Sequence, residues 1–265
     1  MFDRFNRPIS YLRISVTDRC NLRCTYCMPE EGIRLLDHSD ILSFEEIAEF
    51  TKLAVANGIT KVRLTGGEPL VRKNIVELVS MLSKIEGLED LSMTTNGILL
   101  SKYAMDLKKA GLNRINISLD TVNPDNYCQI TRNGELNQAL EGIETARNAG
   151  FEPIKINCVL LGQPDEETQR LKQFCEERGL ALRFIHQMNL KTGEFSTVEG
   201  GEGGNCSKCN RVRLLANGEI KPCLFSDLSY NIRKLGHQEA LDLAIGNKPI
   251  SGTYNKSGEF YNIGG

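Results

Sequence analysis

Hydrophobic and polar positions follow two alternating periods along the first two-thirds of the chain. Short apolar segments rich in β-branched residues are typical of buried strands, and apolar residues spaced three or four apart are typical of amphipathic helices. The predicted strands are Tyr11–Val16, Lys61–Thr65, Asp90–Thr95, Asn113–Leu119, Pro153–Leu161 and Leu182–Met188. The predicted helices are Phe44–Asn57, Asn74–Ile85, Ser101–Ala110, Leu136–Asn148 and Glu166–Arg178.

The ends of these helices carry local signals. Ser43 and Glu46 have the spacing of a capping box at the start of the first helix. Glycine follows each helix at the position of a C-cap, at residues 58, 87, 111, 150 and 179. The pattern therefore predicts strands and helices that alternate with short connections.

Strands separated by helices pair in parallel through right-handed crossovers. Six such units are too few to close the eight-stranded barrel, so we predict an α/β fold with a partial (βα)6 TIM-like barrel over residues 1–189. Functional groups of such folds collect at the carboxyl ends of the strands. Residues 190–265 are predicted to form a small C-terminal subdomain, with a Gly-rich stretch from Gly193 to Gly204 that holds little to pack and a weak helix near Gln238–Ala244.

Composition narrows the class of protein. The 265 residues include 32 basic and 34 acidic residues, a net charge of -2 that gives no reason to expect nucleic-acid binding. No apolar run is long enough for a membrane span, and Met1–Ser10 is too polar for a secretory signal, so we expect a cytoplasmic protein. Nine cysteines, with three histidines and no tryptophan, then indicate metal ligation by thiolates rather than disulfides.

The first cysteine cluster is a C-x3-C-x2-C motif at Cys20, Cys24 and Cys27, after the first predicted strand. Three thiolates around a four-iron cluster leave one iron without a protein ligand, and an open iron can bind a small molecule. The alternative is a zinc knuckle, or loop thiols without a metal.

The second cluster, Cys206, Cys209 and Cys223, brackets a predicted hairpin of Arg211–Leu215 and Ile220–Cys223. The Asn217-Gly218 pair predicts a type I′ turn that returns Cys223 toward the other two cysteines. Its alternative is structural zinc, with a fourth ligand such as His237 or a further cysteine.

The first motif, with Tyr26 before its third cysteine, and the run Thr65-Gly66-Gly67-Glu68-Pro69 resemble the signatures of radical S-adenosylmethionine enzymes. Longer segments resemble the GTP 3′,8-cyclase family, which acts in molybdenum cofactor biosynthesis. These are Leu12 to Asn21, Lys61 to Leu70, Thr94 to Gly97, Arg114 to Asp120, Arg183 to Ile185, Cys206 to Phe225, and the terminal Asn-Ile-Gly-Gly.

The resemblance implies a lyase with two [4Fe-4S] clusters and S-adenosylmethionine. The first cluster would generate a 5′-deoxyadenosyl radical that removes a hydrogen atom from C3′ of GTP. The C3′ radical would bond to C8, and a 3′,8-cyclo-7,8-dihydro-GTP would form after reduction and protonation. The open iron of the second cluster would hold the guanine ring. The expected partners are GTP or a related small molecule and a flavodoxin- or ferredoxin-type electron donor, with no nucleic acid or membrane; a homodimer is considered.

The same resemblance assigns roles to individual residues. Cys20, Cys24 and Cys27 would be catalytic ligands of the first cluster, and Cys206, Cys209 and Cys223 ligands of the second. S-Adenosylmethionine would contact Tyr26, Gly66, Gly67, Glu68, Ser118 and Met188. GTP would contact Arg13, Lys61, Arg63, Thr94, Lys155, Arg183, Arg211 and Arg213, with Asn96 and Asn157 as weaker candidates in the same cavity.

Residue chemistry supports part of this assignment. Gly66 and Gly67 lack a Cβ, so their peptide groups can approach the methionyl ammonium. Cations on successive strands of a partial barrel would converge, and arginine suits phosphate oxygens. Taken singly, each cation is more simply a surface charge, and Met188 is more simply a core residue.

Two departures from the family bear on the substrate. The stretch between Met188 and Cys206 is shorter than expected for the family, and His186 replaces its acidic residue. We predict that His186 lines the barrel or lies in the core, and that Cys128, Cys158 and Cys175 are small core residues.

Because of these departures from the family, the second hypothesis is a radical enzyme with the same clusters that modifies a peptide or another small molecule. The third is a non-catalytic zinc or cluster protein. The Gly264-Gly265 tail is expected to complete the cavity.

Overall fold

The computed structural model describes residues 1–201 and 203–256. The role predicted for the Gly264-Gly265 tail lies outside these residues. Within them the strands are β1 Tyr11–Ser15, β2 Lys61–Thr65, β3 Asp90–Thr95, β4 Arg114–Ser118, β5 Lys155–Leu160, β6 Ala181–His186, β7 Arg211–Leu214, β8 Glu219–Lys221 and β9 Tyr230–Asn231. The helices are α1 Phe44–Ala56, α2 Ile75–Leu82, α3 Leu100–Lys109, α4 Pro124–Thr131, α5 Leu136–Asn148, α6 Asp165–Glu177, α7 Ile232–Leu235 and α8 His237–Gly246.

The strands form one twisted sheet in the order β6-β5-β4-β3-β2-β1-β7-β8-β9. The first six are parallel neighbours joined by helices, which confirms the α/β partial barrel. Beyond them, β7 pairs in parallel with β1, and β8 and β9 follow antiparallel. The second-cluster hairpin therefore continues the barrel sheet.

Alternation along each strand divides the sheet into two faces. On β1, Leu12 and Ile14 are fully buried in the main core, which also contains Ile47 and Phe50 of α1. The intervening Tyr11, Arg13 and Ser15 consequently point to the concave face, called the lumen below. The carboxyl ends of β1–β6 are its upper end and their amino ends its lower end.

Helix α4 is present although the periodicity did not predict it. Asn123 caps it by accepting from the amides of Asp125 and Asn126, and Pro124 occupies the first helical position. Asn followed by Pro is a start signal for a helix. The mixed polarity of the following eight residues hid the helical period.

The hairpin turn differs from the predicted type I′. Of its residues only Gly218 has a positive φ, +83°, whereas type I′ requires two. The amide of Leu215 donates to the Glu219 carbonyl at 2.8 Å, so three residues form the loop. Three-residue loops favour a type I turn closed by a left-handed glycine.

The stretch between β6 and the second cysteine group, which is described at residues 187–201 and 203–205, packs more than we predicted for its Gly-rich part. Phe195 stacks on Phe225, with ring centroids 4.5 Å apart, and Leu190 is buried in the same small cluster. Glu199 forms a bridge to Phe184 of β6. The segment therefore covers the free edge of β6 and contacts the end of the hairpin, because a few apolar anchors suffice to hold a short loop. No helix among the described residues is long and apolar enough to cross a bilayer.

Candidate functional site

The loop after β1 carries Cys20, Cys24 and Cys27 at the upper end of the lumen. The amides of Cys27 and Met28 both donate to the Cys24 carbonyl at 3.0 Å, which turns the chain between the cysteines. All three are free thiols. Burial, followed by the neighbouring Cys20, raises the pKa of Cys27 to about 12, so these thiols lie close to one another.

This donor set fits an iron–sulfur cluster. Among the described residues no three His, Cys, Asp or Glu side chains are grouped tightly enough to share one metal ion. A four-iron cluster binds each thiolate to a different iron and so needs a wider spacing than a single zinc does. Cys20, Cys24 and Cys27 are three free, half-buried thiols in one loop, which is the type of ligand that such a cluster uses.

Gly66 and Gly67 follow β2 and pack directly against the loop that leads to Cys20. A Cβ on Gly67 would lie 2.3 Å from the Arg19 carbonyl oxygen, and one on Gly66 would lie 2.6 Å from that of Thr17. The amide of Gly67 donates to the Thr17 carbonyl and that of Glu68 to the Arg19 carbonyl, both at 2.8 Å. The glycines thus join two loops, a reason for their small size that the sequence did not indicate.

Glu68 has a buried carboxylate that is already used by the protein. It accepts hydrogen bonds from the Leu70 amide at 3.0 Å, from the Thr95 hydroxyl at 2.7 Å and from the Asn96 amide at 2.7 Å. Burial outweighs these bonds and raises its pKa to about 7. Glu68 therefore fastens the loop after β2 to the loop after β3, whereas the resemblance placed it on the cofactor.

Asn96 and Asp120 hold the first cysteine loop in place, although the sequence did not indicate this role for either residue. The side-chain amide of Asn96 donates to the Asn21 side chain at 2.8 Å and lies 3.9 Å from the Cys20 sulfur. The Tyr26 hydroxyl donates to Asp120 at 2.9 Å, and burial raises the pKa of Asp120 to about 6. Asn96 thus lies beside Cys20 of the first cysteine loop.

A cavity of about 560 Å³ opens beside the first cysteine loop. Tyr26 and Cys27 form one wall, and Met188 and Leu190 of the shortened segment form another. Arg132 and Lys191 add positive charge. Tyr26 and Met188, which the resemblance assigned to S-adenosylmethionine, thus share a cavity with a cysteine of the cluster.

Lower in the lumen, three arginines stand side by side on adjacent strands. Arg13 is the register partner of Arg63 on β2 and of Arg213 on β7. Burial, followed by Arg213, holds the pKa of Arg13 well below its usual range. Burial and Arg211 lower the pKa of Arg213 to about 10. Arginine remains charged at neutral pH, so this cluster favours an anion.

The other residues predicted to bind the substrate lie at different distances from these three arginines. Burial and the like charges of Arg183, Arg114 and Arg63 lower the pKa of Lys155, which places these four cations together. Arg114, not predicted, forms a two-pronged ion pair with Asp90. Lys61 is exposed at the lower end, and Arg183 donates to the Gly200 carbonyl at 3.1 Å.

Buried polar atoms mark the middle of the lumen. Thr94 Oγ1 and Asn116 Nδ2 have no hydrogen-bond partner within the described part of the chain. The two residues are register partners, and Asn116 also faces Lys155. Ser118 and Asn157 are register partners two residues closer to the upper end. Because such orphan groups are costly, they are ready contacts for a polar ligand; Asn116 escaped the sequence analysis because an isolated asparagine carries no pattern.

Cys206, Cys209 and Cys223 lie at the lower end, because β7 begins beside the first residue of β1. Burial alone would raise the pKa of Cys209, but Lys248 and Arg211 lower it to about 7. A thiolate available at neutral pH suits iron–sulfur ligation. The two cysteine groups thus lie at opposite ends of one lumen.

Some residues lie elsewhere than predicted. His186 is exposed and binds Glu199 at 2.9 Å, because the shortened segment returns along β6. His237 packs edge-on against Phe50 at the start of α8. Cys158 and Cys175 are core residues as predicted, whereas Cys128 is exposed on α4.

Known proteins share both the fold and the sequence. Residues 14–175 match the Radical SAM superfamily model. The chain superposes on Streptococcus suis SuiB bound to S-adenosylmethionine with a TM-score of 0.69, at 18% identity over 93% of this chain and 67% of that one. It superposes on anSMEcpe with bound AdoMet with a TM-score of 0.65, at 16% identity over 90% and 81% of the two chains. The fold and the cysteine loop therefore define a radical S-adenosylmethionine enzyme.

Two relatives specify the family. A GTP 3′,8-cyclase of Petrotoga mobilis is 41% identical over 98% of this chain and 97% of its own length. One of Thermodesulfovibrio yellowstonii is 42% identical over 89% and 88% of the two chains. This chain belongs to the GTP 3′,8-cyclase family.

The alignment with the Petrotoga protein also shows a difference in length. It spans 315 positions, whereas this chain has 265 residues, so at least 50 positions of the relative have no counterpart here. This agrees with the expected shortening.

Proposed function

We propose that this chain converts GTP to a 3′,8-cyclo-7,8-dihydro-GTP, the lyase reaction that serves molybdenum cofactor biosynthesis. One observation carries the assignment. The arginine row of Arg63, Arg13 and Arg213 crosses the same parallel strands whose upper ends hold the cysteine loop and the glycine loop. A triphosphate and a radical source would thus be fixed to one rigid sheet.

The residues of the chain would orient the nucleotide along the lumen. Arg13, Arg63 and Arg213 would hold phosphate oxygens, and Lys155 would add charge beside them. Thr94 and Asn116, one step further along the strands, offer polar atoms to the ribose. Gly66 follows Arg63 by three positions, about 10 Å along an extended strand. Phosphates bound among the arginines would therefore direct the ribose toward the upper loops.

The cofactors supply the chemistry that these side chains cannot. When bound, the first cluster and S-adenosylmethionine provide a carbon-centred radical that removes a hydrogen atom from the substrate. Cys20, Cys24 and Cys27 would hold this cluster, and Tyr26, Gly66, Gly67, Ser118 and Met188 would contact S-adenosylmethionine. Cys206, Cys209 and Cys223 would hold the second cluster, whose open iron would orient the guanine ring. Positioning is essential, because a primary carbon radical abstracts the nearest hydrogen.

The partners follow from this chemistry. Reduction of the first cluster requires an external electron, for which we propose a flavodoxin- or ferredoxin-type donor.

We also propose that the protein assembles as a homodimer, because the exposed apolar side chains of Phe2 and Ile250 offer surface that a second copy would cover. Light scattering of the anaerobic protein measures that assembly.

The decisive experiment uses GTP deuterated at C3′. The anaerobically reconstituted protein is mixed with S-adenosylmethionine, dithionite and labelled GTP, and the products are separated and analysed by mass spectrometry. We expect deuterium in 5′-deoxyadenosine and a new nucleotide with the elemental composition of a GTP isomer that retains no deuterium at C3′. Cleavage of S-adenosylmethionine without deuterium transfer or a nucleotide product would reject GTP as substrate while leaving the radical class intact.

A further inference from the structure

Lys248 lies just beyond α8 and is almost completely buried, with 2% of its surface exposed. Its ammonium donates to the Arg211 carbonyl at 2.7 Å and to the Pro222 carbonyl at 2.5 Å. Arg211 lies two residues after Cys209, and Pro222 immediately precedes Cys223. One buried side chain therefore joins the two strands of backbone that carry these cysteines.

The ammonium also interacts with the thiols themselves. Cys209 is a hydrogen-bond partner of Lys248, and Cys209 and Cys223 both contribute a favourable charge interaction. An isolated buried ammonium is costly, so its burial needs hydrogen bonds and opposite charge. Two carbonyls and two potential thiolates supply both.

Arg7 connects the remaining cysteine to the same place. Its guanidinium donates to the Cys206 carbonyl at 2.7 Å, to the Ile250 carbonyl at 2.9 Å and to the Pro249 carbonyl at 2.6 Å. Asp3 holds it in a buried ion pair at 2.6 Å. Lys248 therefore binds the backbone beside Cys209 and Cys223, while Arg7 links the Cys206 carbonyl to the two residues that follow Lys248.

We propose that Lys248 is a positioning residue for the second iron–sulfur cluster, spacing its cysteines and stabilising its negative charge. The inference rests on the second cluster of the proposed function. Three thiolates give a four-iron cluster negative charge, and a fixed cation beside the ligands stabilises the reduced form most. Loss of the cation should therefore weaken cluster retention and make the reduction potential more negative.

The test isolates the second cluster. In a parent with Cys20, Cys24 and Cys27 all changed to Ala, every bound iron reports on the second site. K248M removes the charge at similar length, and K248Q removes it while keeping a hydrogen-bond donor. K234M is the matched control, since Lys234 is exposed on α7. Measurements are iron and sulfide per chain, the rate of iron loss to a chelator, and the midpoint potential from EPR-monitored titration.

We expect K248M to lose iron about tenfold faster than the parent, at the lower end of the effect of second-shell partners on metal affinity. Its midpoint should be more negative, whereas K234M should match the parent in both. K248Q should shift the midpoint in the same direction, and it carries the test if circular dichroism shows that K248M is unfolded.

The possible outcomes distinguish the role of Lys248, the electrostatic part of that role and the presence of the second cluster itself. Neutral variants with the parent's iron retention and midpoint would overturn the role of Lys248. Faster iron loss with an unchanged midpoint would overturn its electrostatic part. A correctly folded parent that takes up no iron would remove the second cluster itself, and the inference with it.

Discussion

Arg13 and Arg213 are register partners on the parallel strands β1 and β7, and both point into the lumen. They come from opposite parts of the chain, the first strand and the hairpin of the second cysteine site. Parallel pairing of β7 with β1 brings the two guanidinium groups to the same height on one surface. Burial and the charge of Arg213 together lower the pKa of Arg13, which is the electrostatic signature of an anion site.

Replacing Arg213 by Met should weaken GTP binding by about 10- to 100-fold, because a charge-assisted hydrogen bond is worth about 1.5–3 kcal/mol. Equilibrium dialysis of GTP against the reconstituted protein measures the affinity. Arg170→Met is the control, because Arg170 is exposed on α6. Equal affinity of both variants would contradict the phosphate role.

Glu68→Gln should flatten the pH dependence of stability. The folded carboxyl keeps its proton up to about pH 7, whereas an ordinary glutamate loses it near 4.5. Between these values the unfolded chain has released the proton and the folded chain has not, so stability falls as pH rises through this window. The loss is about 3 kcal/mol in wild type.

Urea unfolding of the iron-free protein at pH 5 and pH 7.5 measures this slope. The Gln variant should lack the Glu68 part of it, and the exposed Glu86→Gln should behave as wild type. A slope that is the same in all three proteins would show that the Glu68 carboxyl ionises normally in the folded chain.

Gly67→Ala should destabilise the protein by about 1–3 kcal/mol, because the added methyl group meets the backbone of Arg19 rather than a movable side chain. Displacement of this loop should also weaken S-adenosylmethionine binding. Gly246→Ala is the matched control, since nothing lies within 4 Å of the place that its added methyl group would occupy. Thermal unfolding and ligand binding of both variants give the comparison; comparable melting temperatures would argue against close loop packing.

The two cysteine groups should separate by function. Cys24→Ala should abolish S-adenosylmethionine cleavage, while Cys223→Ala should retain cleavage and lose the cyclised nucleotide. Each variant should keep about four irons, those of its intact cluster. Iron analysis and product chromatography test this pair. Similar residual cyclisation in both variants would refute the proposed division of labour.

Periodicity predicted the barrel strands well. Lys61–Thr65 and Asp90–Thr95 match β2 and β3 residue for residue, because strands covered by helices on one side carry strong apolar alternation. Short polar helices such as α4 lack that contrast. Parallel pairing of β7 with β1 has no local signal, since it joins segments about 200 residues apart.

In the candidate site, too, some residues carry a local sequence signal and others do not. Its cysteines, glycines and cations stand in recognisable motifs. Lys248 and Arg7 do not, because their role depends on which carbonyls folding brings within reach. His186 illustrates the converse: we predicted that it lines the barrel or lies in the core, and the returning segment placed it beside Glu199 at the surface.

The order of residues alone was enough to establish a parallel α/β architecture, two groups of three thiols and the family's chemistry. These features depend on local periodicity and on spacing within short motifs. Tertiary structure decided that the thiol groups lie at opposite ends of one lumen, that arginines from three strands share one level, and that a buried lysine joins the second cysteine group. Such relationships arise from contacts between distant segments, which are set by packing and strand register rather than by neighbouring residues.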